Sequence, residues 1–144
     1  MTAEKTINSL FEDIEAWKVF ASGHAEGRVS RGERGGLKLE YDFHEGGGFV
    51  ALRRELAFAM PETYELRFDL KGSGAANDFE FKLADRAGVN VWRNRHEGLV
   101  LGSEWLGLRI CERDLPFAWG PAGGGTKAIP TRSGSRRVGI CGVM

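Results

Sequence analysis

Between Tyr64 and Trp92 the chain alternates apolar and polar residues with a period of two, interrupted only at short turns rich in Gly, Asn and Asp. Tyr64, Leu66, Phe68 and Leu70 alternate with Glu65, Arg67, Asp69 and Lys71. Phe79, Phe81 and Leu83 alternate with Asp78, Glu80 and Lys82, and Val89 and Val91 with Asn90 and Trp92. Such a period places every second side chain on one face, which is the pattern of a half-buried strand and does not suit a helix. Asp85-Arg86-Ala87-Gly88 supplies a turn-initiating Asp and a closing Gly, so the runs on either side are predicted to fold back as a hairpin.

The same pattern recurs on both sides of this stretch. Leu37, Leu39, Tyr41 and Phe43 alternate with Lys38, Glu40 and Asp42. After the turn Glu45-Gly46-Gly47-Gly48 comes a less regular strand, Phe49 to Arg54, with apolar residues on both faces. Trp105, Leu108 and Ile110 mark a further strand, followed by D-L-P-F-A-W-G-P from Asp114 to Pro121. Glycine, at 21 residues of 144, is about twice its usual share, as expected of a chain with many tight turns. Together these features predict one all-β domain, an antiparallel sandwich or barrel.

Residues 6–20 read two ways. Ile7, Leu10, Phe11, Ile14 and Trp17 fall near one side of a helix, and periodicity favours a short amphipathic helix. Read as extended chain, Ser9 to Asp13 and Trp17 to Ala21 become two strands, with Trp17 closing one end of the core.

The formal net charge is zero with 28% charged residues, so the chain offers no electrostatic case for nucleic acid or an anionic membrane. No stretch approaches the length of a membrane span, and the first residues lack the basic start and apolar run of an export signal. The reading is of a cytoplasmic protein as given, or an extracellular one if the chain belongs to a longer exported protein. Cys111 and Cys141 have no metal-ligand or C-x-x-C spacing and are read as ordinary thiols; His24, His44 and His96 lie apart, without a spaced partner.

The outer face of the predicted hairpin sets Asp78, Glu80, Lys82 and Asn90 beside Trp92, with Arg53 and Arg54 joining them if their strand is a neighbour. An aromatic face for the apolar side of a pyranose, ringed by groups that hydrogen-bond adjacent hydroxyls, is what sugar recognition requires. The same charges also suit cross-strand pairs on a solvated face. Trp17, Trp105 and Trp119 are assigned to the core or its ends. Asp78 and Glu80 share a strand face, and distance alone does not exclude the carboxylate pair of a retaining glycosidase, but Lys82 and arginines beside them would hold a carboxyl ionised and remove the general acid. The expectation is therefore no enzyme, and a protein-interaction or assembly domain is the alternative, since Trp and Arg also anchor interfaces.

The runs Y-E-L-R-F-D-L-K-G, N-D-F-E-F-K-L-A-D-x-x-G-x-N-V-W, E-W-L-x-L-R-I and R-D-L-P-F-A-W-G-P resemble the galactose-binding-domain-like carbohydrate-binding modules, discoidin or coagulation-factor-5/8 in type, attached to bacterial glycoside hydrolases. The resemblance covers roughly Ser9 to Gly125 and implies an antiparallel jelly-roll β-sandwich over residues 1–125 that binds a poly- or oligosaccharide without chemistry. It favours strands over a helix in residues 6–20. It also implies a structural calcium ion, for which Glu12 and Asp13 match the acidic pair that often begins these modules, with loop carbonyls completing an oxygen shell. Arg93 stands where the family commonly has a second aromatic. Residues 126–144 lack the further strands that the family implies and are read as an irregular tail, which predicts an exposed edge and a homodimer through it.

Overall fold

The computed structural model describes residues 10–44, 46–57, 62–85, 88–121 and 137–143. In order along the chain the strands are β1 (Trp17–Ala21), β2 (Glu26–Arg31), β3 (Leu37–Asp42), β4 (Val50–Ala57), β5 (Glu65–Leu70), β6 (Asn77–Ala84), β7 (Val91–Leu99), β8 (Leu106–Cys111), β9 (Phe117–Trp119) and β10 (Arg137–Val143). Helical structure among the described residues is limited to single 3-10 turns such as Ile14–Ala16, and none is long and apolar enough to cross a membrane. The amphipathic helix suggested by periodicity is thus replaced, over the described part of residues 6–20, by a turn at Leu10–Glu12, a 3-10 turn and β1. Trp17 explains the outcome: its ring stacks on Phe11 at 5.5 Å and its Nε1 donates to the Leu10 carbonyl at 2.8 Å, so the apolar residues cluster around a bend and not along a helix face.

The chain divides into two compact units, Met1–Leu52 and Arg53–Met144. In the first, β2 and β3 form an antiparallel pair with Val29 opposite Leu39. β2 went unread in the sequence because glycine and charged residues dilute its alternation. Among the described residues of this unit, Trp17, Ala25, Val50 and Ala51 are buried.

In the second unit, β10, β6, β7 and β9 lie side by side in that order, and β4 borders β10. A second antiparallel pair, β5 with β8, sets Leu66 opposite Ile110 and Phe68 opposite Leu108. The Phe68 ring packs 5.4 Å from Phe81 and 6.1 Å from Phe79, so the two sheets close face to face over an apolar core. Phe79, Phe81 and Leu83 point into it, as the alternation of β6 predicts; with Leu56, Trp92, Ile110 and Leu115 they are buried.

One expectation about the C-terminus fails here. Residues 137–143, read as part of an irregular tail, form β10, whose Ile140 pairs with Leu83 and Cys141 with Lys82. The place that a missing strand would leave open is filled from within the chain, and the argument for a homodimer through that edge loses its basis.

Candidate functional site

The outward face of the second unit's larger sheet is built from the residues that alternate with the core positions of β6. Cross-strand pairing sets Glu80 opposite Arg95, Lys82 opposite Arg93 and Ala84 opposite Val91. Directly paired side chains share a face, so Arg93 and Arg95 join Glu80 and Lys82 on the outside. The same register pairs Leu83 with Trp92, which carries Trp92 to the core side.

Trp92, expected as the sugar-stacking residue, is therefore a core residue, 2% exposed, with its ring edge-on to Phe117 at 5.6 Å. The alternation of Val89, Val91 and Trp92 was read in the wrong phase. The loop between β6 and β7 runs to Asn90, and pairing with the strongly patterned β6, not the short Val-x-Val run, sets the phase of β7.

Among the described residues of β6, β7 and β9, the aromatic side chain on the outer face is that of Trp119. β9 pairs with β7 through Phe117 opposite Trp92 and Trp119 opposite Val91, with an irregularity between, so two steps on β9 match one on β7. That bulge turns Phe117 inward and Trp119 outward although they are two residues apart. Trp119 is 45% exposed, with Lys82 Nζ 5.1 Å and Arg93 Cζ 5.7 Å from its ring centroid, both within cation–π range. Its assignment to the core is corrected accordingly. Trp105 is also exposed, with Lys71 Nζ 5.5 Å from its ring.

Glu80 ties the polar part of the site together. Its Oε2 lies 3.1 Å from Lys82 Nζ, and its Oε1 lies 3.2 Å from Arg93 Nη1 and 3.8 Å from Arg95 Nε. The Glu80 and Lys82 side chains are largely shielded, at 15% and 19% exposure, so this pair is held more firmly than a surface ion pair. One row further along, Arg95 Nη2 donates to Asp78 at 2.7 Å, and the Gly98 backbone N–H donates to the other Asp78 oxygen at 2.9 Å. Gly98 has φ of +60° at a register shift between β6 and β7, a conformation that glycine adopts without strain. The Arg95 hydrogen bond, followed by the one from Gly98, holds the Asp78 carboxyl below the usual carboxylate range; Asp78 in turn raises the Arg95 guanidinium.

The remaining candidates are placed elsewhere. Asn90 braces the loop, its Nδ2 donating to Asp85 Oδ2 at 2.6 Å while the backbone N–H groups of Val89 and Asn90 donate to Asp85 Oδ1 at 3.1 and 3.2 Å. Arg53 and Arg54 lie on β4, which β10 separates from β6, and as successive strand residues they point to opposite faces. The arginines that do stand beside Glu80 are Arg93 and Arg95. Arg93 occupies the position where the resemblance implies an aromatic.

Glu12 and Asp13 do not fit a calcium ion. Asp13 Oδ1 accepts from the Glu15 backbone N–H at 3.1 Å, capping the 3-10 turn. The Arg31 guanidinium donates to the carbonyl oxygens of Phe11, at 2.6 Å, and of Glu12. The loop carbonyls nearest the acidic pair are thus taken by a fixed positive charge, which opposes a cation there. Among the described residues no cluster of three His, Cys, Asp or Glu side chains is suited to a metal, and Cys111 is a free thiol.

No protein-family profile and no curated protein matches the chain. Solved structures match its fold. A family 11 carbohydrate-binding module from Clostridium thermocellum, in complex with a β-1,3-1,4-mixed-linked tetrasaccharide, superposes with a TM-score of 0.65 at 18% identity, covering 92% of this chain and 81% of that one. The family 11 module of a cellulosomal cellulase of the same organism gives 0.65 at 17% identity, covering 99% and 85%. The enzymatically active domain of bacteriophage CBA120 tailspike protein 4 gives 0.54 at 12% identity, covering 94% of this chain but 18% of that one. The fold is an antiparallel jelly-roll β-sandwich of the kind found in carbohydrate-binding modules.

Proposed function

We propose that the chain is a non-catalytic carbohydrate-binding module, and that it binds a saccharide on the outward face of β6, β7 and β9. The observation that carries this reading is the exposed Trp119 ring on the same face as Glu80, Lys82 and Arg93. A pyranose stacked on the indole would bring its hydroxyls to charged groups already held in place by one another, which limits the ordering cost of binding. The jelly-roll fold shared with modules that include one bound to a tetrasaccharide supports the same reading.

Absence of catalysis follows from the chemistry of the two carboxylates. Asp78 is kept ionised by Arg95 and the Gly98 N–H, so it is not set up as a proton donor to a leaving group, and both Glu80 oxygens are engaged in ion pairs with Lys82 and Arg93.

A glycan array followed by affinity electrophoresis through polysaccharide gels tests the proposal. The wild-type protein is expected to be retained by at least one glycan, and Trp119→Ala to lose that retention while keeping its thermal unfolding. Retention unchanged in Trp119→Ala moves the site elsewhere. Failure of the wild type on every glycan sinks the carbohydrate reading and leaves a protein-interaction role for the same face.

A further inference from the structure

Resting on that reading, we infer that the saccharide is acidic: the face around Trp119 is built for a glycan that carries carboxylates at C6, a uronate, in preference to a neutral hexose chain. Charge on this face is graded along the strands. In the row next to Trp119, Lys82 and Arg93 stand opposite each other, and both reach the indole ring. Their described counter-charge, Glu80, comes one row further away and is shared between them. Among the described residues of β6 and β7 the other acids are more distant still: Asp78 is paired with Arg95, and Glu97 lies at the far end, 3.6 Å from the same arginine. On the opposite side of Trp119, Asp85 is turned into its own loop, where it accepts from Val89 and Asn90. A ring stacked on Trp119 therefore meets two cations first and the carboxylates only beyond them.

Hydrogen-bonding capacity points the same way. An ammonium has three donors and a guanidinium five, and neither accepts. Glu80 takes one contact from Lys82 and one from Arg93, which leaves this pair with more donors than their shared carboxylate engages. A sugar hydroxyl both donates and accepts, whereas a carboxylate only accepts, and a guanidinium binds it with two parallel bonds. Both cations are shielded by their surroundings, Lys82 at 19% and Arg93 at 35% side-chain exposure, so an anion reaching them is screened less than at an open surface.

The test uses the unmodified protein and sugars that differ only at C6. Isothermal titration compares β-1,4-tetraglucuronate with cellotetraose, and tetragalacturonate with its methyl ester, at low and high salt. In the pair whose backbone fits, the acid is expected to bind at least about tenfold more tightly at low ionic strength, with the advantage shrinking to about threefold or less near 0.5 M salt. A 6-sulfated tetrasaccharide of the same backbone should bind less tightly than the uronate, since a sulfate ester is a weaker hydrogen-bond acceptor and carries its charge farther from the ring. Equal or tighter binding of the neutral sugar or ester overturns the inference while leaving carbohydrate binding intact, and tighter binding of the sulfate overturns the carboxylate assignment. Absence of binding by these and by every arrayed glycan overturns both.

Discussion

Lys82 on β6 and Trp119 on β9 meet across the intervening β7, with the lysine Nζ 5.1 Å from the centroid of the indole ring. The contact exists because a bulge in β9 reverses the phase of the strand between Phe117 and Trp119. It makes Trp119 the aromatic of the outer face and Trp92 an aromatic of the core, and the two should respond to substitution in different ways.

Trp92→Ala is expected to destabilise the fold by about 3–5 kcal/mol, because a large, fully packed ring leaves a cavity. Trp119→Ala should cost about 1 kcal/mol or less, since the residue is 45% exposed. Urea unfolding of the two variants checks the ranking; equal losses would mean that Trp119 is a packing residue and not a platform.

Gly120 follows Trp119 with φ of +134°, and a Cβ there would lie 2.3 Å from Asn90 Oδ1 and 2.5 Å from the Val89 carbonyl oxygen. Gly120→Ala is therefore expected to cost more than about 1 kcal/mol and to weaken glycan retention, because β9 must shift to relieve the clash and carries the indole with it. A variant that keeps wild-type stability and retention would show that the Trp119 position does not depend on this close approach.

Stability should fall in acid through three carboxylates held below their ordinary range: Asp78 by Arg95 and the Gly98 N–H, Glu40 by Lys38 and Arg28, and Glu65 by Arg67 and Arg109. A depressed folded-state value means that the unfolded chain takes up protons first. The stabilisation is thus present above the ordinary carboxylate range, about pH 4, and is lost as pH falls through the lower folded-state values. Urea midpoints measured from pH 6 downward should show a shallower decline for Asp78→Asn than for the wild type. Parallel curves would mean that the Arg95 contact does not persist in solution.

Calcium should leave the melting temperature unchanged, whether added in millimolar excess or removed by chelation, because the Arg31 guanidinium donates to the Phe11 and Glu12 carbonyls and puts a positive charge beside the acidic pair. Arg31→Ala should lower stability by about 1 kcal/mol through loss of exposed charge-assisted hydrogen bonds. A rise of several degrees with calcium in the wild type would restore a metal to this loop.

Where alternation was long and unbroken, as in β3, β5 and β6, the amino-acid order alone determined both the strand and the side facing the core, because a half-buried strand tolerates only one phase. The all-β class and the outward placement of Asp78, Glu80 and Lys82 were legible on that basis, whereas the jelly roll was implied only by the resemblance of the longer motifs to a known family. β2 and β10 were not, since glycine and charge leave them no clear alternation. Tertiary structure alone decided which aromatic faces out. The phase of β7 comes from hydrogen bonding to β6, and that of Trp119 from a bulge against β7; neither partner lies close by in sequence. Arg93 and Arg95 likewise reached the site through the strand opposite them. The strand of Arg53 and Arg54 was set apart from β6 because β10, from the far end of the chain, came between them, although the Arg53 guanidinium reaches toward Gly88 in the β6–β7 loop. Local pattern specifies a strand's two faces, but only pairing across the sheet determines which residues of different strands become neighbours.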